Sequence, residues 1–102
     1  MKKVTLFRVR EGKKDIWNQW CQSLETTLRQ EAIHTLEEEQ VRLELVIGLT
    51  IHGANYVVGY MDGECLPANM DQKINQQHQL MKKECLERMN DEATLLYALQ
   101  PE

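Results

Sequence analysis

The chain is poor in the residues that punctuate or staple small folds. It has two prolines, five glycines and three cysteines in 102 residues. Cys21, Cys65 and Cys85 form no CxxC and no Cys/His pair at zinc spacing. A disulfide framework and a structural zinc are therefore not expected, and reduced thiols point to a cytoplasmic protein. No apolar run approaches the roughly 20 residues that span a bilayer. Arg8 interrupts the apolar beginning too early for a signal peptide. With a net charge of −4 and scattered basic residues, no stripe is available to neutralise phosphates in series, which argues against nucleic acid as the main partner. There is no phosphate loop, no nucleophile elbow, no carboxylate pair at a defined spacing and no internal repeat. Length alone implies one domain, residues 1–102, that association with a partner would help to stabilise.

What is present is patterned. Residues 3–10 alternate and are rich in β-branched and aromatic types, with Thr5, Phe7 and Val9 on one face and Val4, Leu6, Arg8 and Arg10 on the other. Trp17, Trp20, Cys21, Leu24 and Leu28 follow at helical spacing. Ile33 falls out of phase with that stripe, which predicts a bend near residues 29–32. The acidic run Glu37–Glu39 reads as a solvated helix surface, because three consecutive residues spread around a helix and cannot converge on one ion. From Val41 to Ile51 every odd position is apolar, predicting a strand whose odd face packs on the core. His52–Asn55 reads as a turn and Tyr56–Met61 as the returning strand. A second helix is predicted over residues 70–90, capped by Asp71, with Ile74, His78, Met81, Cys85 and Met89 inward. Thr94–Leu99 (TLLYAL) reads as the last strand.

The order β-α-β-β-α-β predicts an α+β, ferredoxin-like fold, a four-stranded antiparallel sheet with two helices on one face. The second strand would then be a long edge strand without proline, and the second sheet face would be more apolar than water tolerates. Both features point to a homodimer formed face to face, with Glu44, Val46, Gly48, Val57, Gly59 and Met61 at the dimer interface. Pairing Ile51 with Tyr56 would set Gly48 opposite Gly59, a patch with no side chains. Glu44 would meet Arg8, Arg10 or Arg42 there.

Certain stretches carry a resemblance. They are Trp17–Leu24, Leu36–Glu44, Asn55–Met61, Ile74–His78 and Lys83–Leu86. Together they resemble a family of roughly hundred-residue bacterial proteins of unknown function in the dimeric α/β-barrel superfamily. The resemblance implies the fold and the dimer. Where that family carries a glycine before the second strand, this chain has Gln40. The wider superfamily includes cofactor-independent monooxygenases and haem-degrading enzymes, some with a histidine on the second helix, where His78 stands. Haem is not expected here, since no second ligand accompanies His78.

The candidate ligand-binding residues are Trp20, Tyr56, Tyr60 and His78, with Tyr56 and Tyr60 expected beneath the helices. His78 and Tyr60 are the candidate catalytic pair, since a histidine beside a phenol can move a proton near neutral pH. The plainer reading of His78 is a half-buried histidine bonded to tyrosine hydroxyls or backbone, and that of Cys85 is packing. Three functions follow. One is a small-ligand-binding or accessory protein, for a small apolar or aromatic ligand, with a helix–sheet cleft. Another is a monooxygenase-like or haem-degrading enzyme, and the third a structural or regulatory interaction module.

Overall fold

The computed structural model describes residues 1–101. Strand β1 (Lys2–Val9) leads through helices α1 (Lys14–Glu25) and α2 (Arg29–Glu38) to strand β2 (Val41–Ile51). Strand β3 (Ala54–Gly63) returns alongside it, and helix α3 (Lys73–Cys85) runs directly into the short strand β4 (Leu86–Arg88). All pairings are antiparallel, in the order β2-β3-β1-β4. The chain is thus α+β, a four-stranded antiparallel sheet with three helices. No helix is long and apolar enough to cross a membrane.

The predicted bend is a complete break. The first helix stops at Glu25, and Leu28 becomes the residue that starts α2. At the other end of that segment, Gln40 carries the chain into β2 with φ 54°, the left-handed region that glycine adopts without cost. Its carbonyl accepts a hydrogen bond from the Glu64 amide. Opposite it, Gly63 lies so close to the Gln40–Arg42 backbone that an added Cβ would stand 2.3 Å from the Gln40 carbonyl oxygen. The pairing of β2 with β3 slips by one residue at this point, between Val41 and Leu43.

Three expectations are corrected. The hairpin turn is two residues, His52 and Gly53, both with positive φ (49° and 80°), because type I′ geometry matches the twist of the strands. Ile51 therefore pairs with Ala54, not Tyr56, and Gly48 faces Val57 while Gly59 faces Val46. The second helix is shorter than residues 70–90. It is preceded by Gln72 instead of Asp71, and Asn69 ties the turn by accepting the Asp71 amide. It ends at Cys85 because Leu86 is buried in extended conformation and pairs with Val9. The last strand is thus Leu86–Arg88, and Met89 is half exposed. Thr94–Leu99 forms no strand.

The fourth correction matters most for function. The buried cluster contains Trp17 of α1, Val57 of β3, Cys85 and Leu86, with Phe7, Val9, Trp20, Cys21 and Met81 packed against it. The helices therefore cover the face that carries Phe7, Val9 and Val57. By register, Glu44, Val46, Gly48, Gly59 and Met61 share that side. The residues expected at a dimer interface on the open face thus lie on the helix side of the sheet. The open face instead carries Leu43, Leu45, Ile47, Leu49 and Ile51 of β2, Tyr56, Val58 and Tyr60 of β3, and Val4 and Leu6 of β1. Leu45, Ile47 and Ile51 are 44%, 53% and 48% exposed. Strand alternation holds, but the faces expected for β2 and β3 are exchanged.

Candidate functional site

Between the helices and the sheet lies a cleft of about 570 Å³, within the range that small ligands occupy. Its apolar walls include Trp17, Leu24, Leu36, Val46, Met61 and Ile74. Its polar groups include Glu39, Glu44, Arg29, Asn75, His78 and Lys82. The cleft is open to solvent, and Val46 in its wall is 46% exposed.

His78 is the best-defined group. The Trp20 indole nitrogen donates to its Nδ1 at 2.8 Å, and both tryptophan rings of α1 lie about 6 Å from the imidazole, centroid to centroid. Two indole rings of α1 thus hold the imidazole of α3 in place. Because Nδ1 accepts, the neutral imidazole carries its proton on Nε2, which leaves this cleft-lining residue a hydrogen-bond donor. Burial among these rings, with the Lys82 charge a turn further on, pushes the His78 pKa down to about 4. The ring is therefore neutral at physiological pH. The same tautomer leaves no lone pair on Nε2 for iron, so haem ligation does not fit this arrangement.

Glu44 stands in the cleft, not opposite an arginine. Its pKa is raised by desolvation against the cleft wall, an effect that Lys82 partly offsets, although the residue keeps an exposed side. Arg42 pairs instead with Asp62 at 3.0 Å, and Lys2 reaches the same carboxylate at 3.4 Å. Asp62 is held below the usual carboxylate range, since slight desolvation is outweighed by Lys2 and Arg42. Glu39 is also raised, by desolvation and then by the nearby charges of Glu44 and Glu38. Within the acidic run the residues do separate jobs. Glu38 accepts the side-chain amides of Asn69 and Gln72, while Glu39 lines the cleft.

Cys21, also in the wall, has its thiol pushed up to about 11 by burial and by Glu44 and Cys85. It stays protonated and is no nucleophile at neutral pH. Cys85 is fully buried, and burial raises its thiol too. Among the described residues, no group of three or more His, Cys, Asp or Glu is placed to hold a metal ion.

Of the sequence-derived ligand residues, Trp20 and His78 come together and the two tyrosines do not join them. Tyr56 and Tyr60 pair with Leu49 and Leu45 on the open face, so the sheet separates Tyr60 from His78. The catalytic pair of His78 and Tyr60 is not assembled. Sequence reasoning missed the cleft role of Glu44 and Lys82. Lys82 lies one turn beyond His78 on α3, a spacing that could have flagged it.

The chain belongs to a family of unknown function, DUF6176, whose pattern matches residues 2–102. No curated protein and no solved structure matches it.

Proposed function

We propose that this protein is a homodimeric, small-ligand-binding member of its family, each subunit using the cleft between the three helices and the sheet. The carrying observation is the tautomer-fixed, neutral His78 at the wall of an apolar cleft that also holds Glu44. A neutral donor and a carboxyl with weakened hydration favour a small, mostly apolar molecule bearing one hydrogen-bond acceptor and one donor, such as a hydroxylated aromatic. Two crossovers, β1 to β2 over β3 and β3 to β4 over β1, support a ferredoxin-like reading. The apolar open face supports the dimer, because two such faces stacked about 10 Å apart would remove both from water. In that assembly the clefts lie on the outer sides of the paired sheets and remain accessible.

The cleft is tested with a panel of phenols and hydroxybenzoates, read by fluorescence of Trp17 and Trp20. The expected result is saturable quenching by at least one compound, with at least tenfold weaker binding in a folded His78→Ala variant. Absence of binding across the panel, or equal binding by the variant, would sink the reading.

A further inference from the structure

Residues 94–99 have the sequence of a strand and no strand to join. Leu95, Leu96, Tyr97 and Leu99 are 60%, 88%, 77% and 84% exposed. Their own sheet is closed to them. Where β4 stops, Asn90 turns its side chain onto β1, accepting the Leu6 amide at 2.8 Å and donating to the Val4 carbonyl at 3.2 Å. A side-chain amide thus occupies the ladder positions that a longer β4 would have used. The chain then leaves the edge, and residues 93–97 border a groove of about 310 Å³ over Lys2, Val4 and Tyr60. That groove is on the open face, where a second sheet would pack. The tail stands in the interface.

Meanwhile β2 pairs with β3 along one edge and, among the described residues, with nothing along the other. That free edge is eleven residues long and contains no proline to block pairing. One chain therefore carries both an unpaired strand and an unpaired edge. We infer that in the homodimer residues 94–99 of each subunit cross to the other and pair as a fifth strand along its β2. This rests on the face-to-face dimer proposed above.

The occupant is a second copy because a two-fold exchange satisfies strand and edge twice over with no other protein needed. A two-fold axis parallel to the strands would set the partner's β2 across from β4, and residues 91–93 span about 10 Å when extended, the usual spacing of stacked sheets. Area favours it as well. From strand spacing and rise, the open face offers about 500 Å². A stable interface needs about 800 Å² per partner, so the open face alone falls short and an added apolar strand narrows the gap. Leu95, Tyr97 and Leu99 alternate onto one side of the tail, where they would continue the apolar row from Leu43 to Ile51.

The test uses full-length chains. Dimers mixed from isotope-labelled and unlabelled protein are examined for intermolecular nuclear Overhauser contacts between residues 94–99 and β2, and dissociation is measured by sedimentation for wild type and Leu96→Pro. The expected result is intermolecular contacts between the tail and β2, with a dissociation constant raised at least a hundredfold in the variant. A dimer without those contacts, or one unchanged in Leu96→Pro, overturns strand exchange and leaves the face-to-face dimer standing. A wild-type monomer at micromolar concentration overturns both.

Discussion

At the scale of the residue, a histidine that accepts a hydrogen bond from an indole has settled where its own proton sits. His78 is held that way by Trp20, and its pKa falls from 6.5 to about 4. Between those values the unfolded chain binds a proton that the native chain refuses, so unfolding is favoured as pH falls. The contribution is absent above about pH 6.5 and grows to about 3 kcal/mol at most below pH 4. Denaturant unfolding of wild type and His78→Gln at pH 7 and pH 4 checks this: wild type should lose about 2–3 kcal/mol more than the variant, and equal losses would refute it. Glu44 works in the opposite direction. Its raised pKa means that the native cleft disfavours the carboxylate, so stability present at acid pH is lost as pH rises through the folded value. Glu44→Gln should accordingly unfold at higher denaturant than wild type at pH 7 and show no advantage at pH 3.5. A ligand site that costs stability in its empty state is what function commonly requires. The inward position of His78 was legible from the spacing Ile74, His78, Met81, Cys85. The role of Glu44 was not, because it depends on which side of a strand faces the helices.

At the scale of the element, alternation in β2 identifies a strand with certainty and leaves its orientation undetermined. Leu43, Leu45, Ile47, Leu49 and Ile51 look like a core-facing row, and Glu44, Val46 and Gly48 look like a surface. The structure reverses them. A face to be covered by another subunit can be as apolar as one covered by helices, and a cleft wall can be more polar than either. The same ambiguity displaced Tyr56 and Tyr60 from the expected site. The hairpin register also escaped, since His52-Gly53 forms a two-residue turn that histidine does not advertise. Backbone geometry at the entry to β2 was better signposted. Gln40 occupies a left-handed position, and Gln40→Gly should relieve about 1 kcal/mol of strain, less the extra freedom of glycine in the unfolded chain. Gly63→Ala should do the reverse. Its new methyl would meet the Gln40 carbonyl and the Val41 Cα, both backbone atoms that cannot step aside, in a conformation with φ 146°. A loss of about 2–4 kcal/mol is expected. Thermal unfolding of both variants decides the matter, and a Gly63→Ala protein as stable as wild type would show that the bulge is not fixed by that contact.

At the scale of the whole molecule, the subunit has little interior of its own. Its buried apolar side chains are few (Trp17, Val41, Val57, Ile74, Cys85 and Leu86), while a row of aliphatic side chains on β2 stands in water. Burying a leucine or isoleucine fully is worth roughly 1.5–3 kcal/mol, so the open face holds a reserve comparable to the whole net stability of a small domain. In the proposed homodimer a chain built this way would gain most of its stability on association, and folding should be coupled to assembly. The unfolding midpoint must then depend on protein concentration, because mass action favours the dimer as concentration rises. Each tenfold increase adds about 1.4 kcal/mol to the dimer, which corresponds to a rise of roughly 3–6 °C for a pair of chains this size. Scans from about 1 to 100 μM at pH 7, checked for reversibility, measure it. A midpoint constant over that range would mean either a monomer that folds alone or a dimer too tight to dissociate before unfolding. Sedimentation at the lowest concentration separates the two, and a stable folded monomer there would remove the open face as an interface and strand exchange with it. The helix–sheet cleft would survive that result, since Trp20, His78 and Glu44 all belong to one chain.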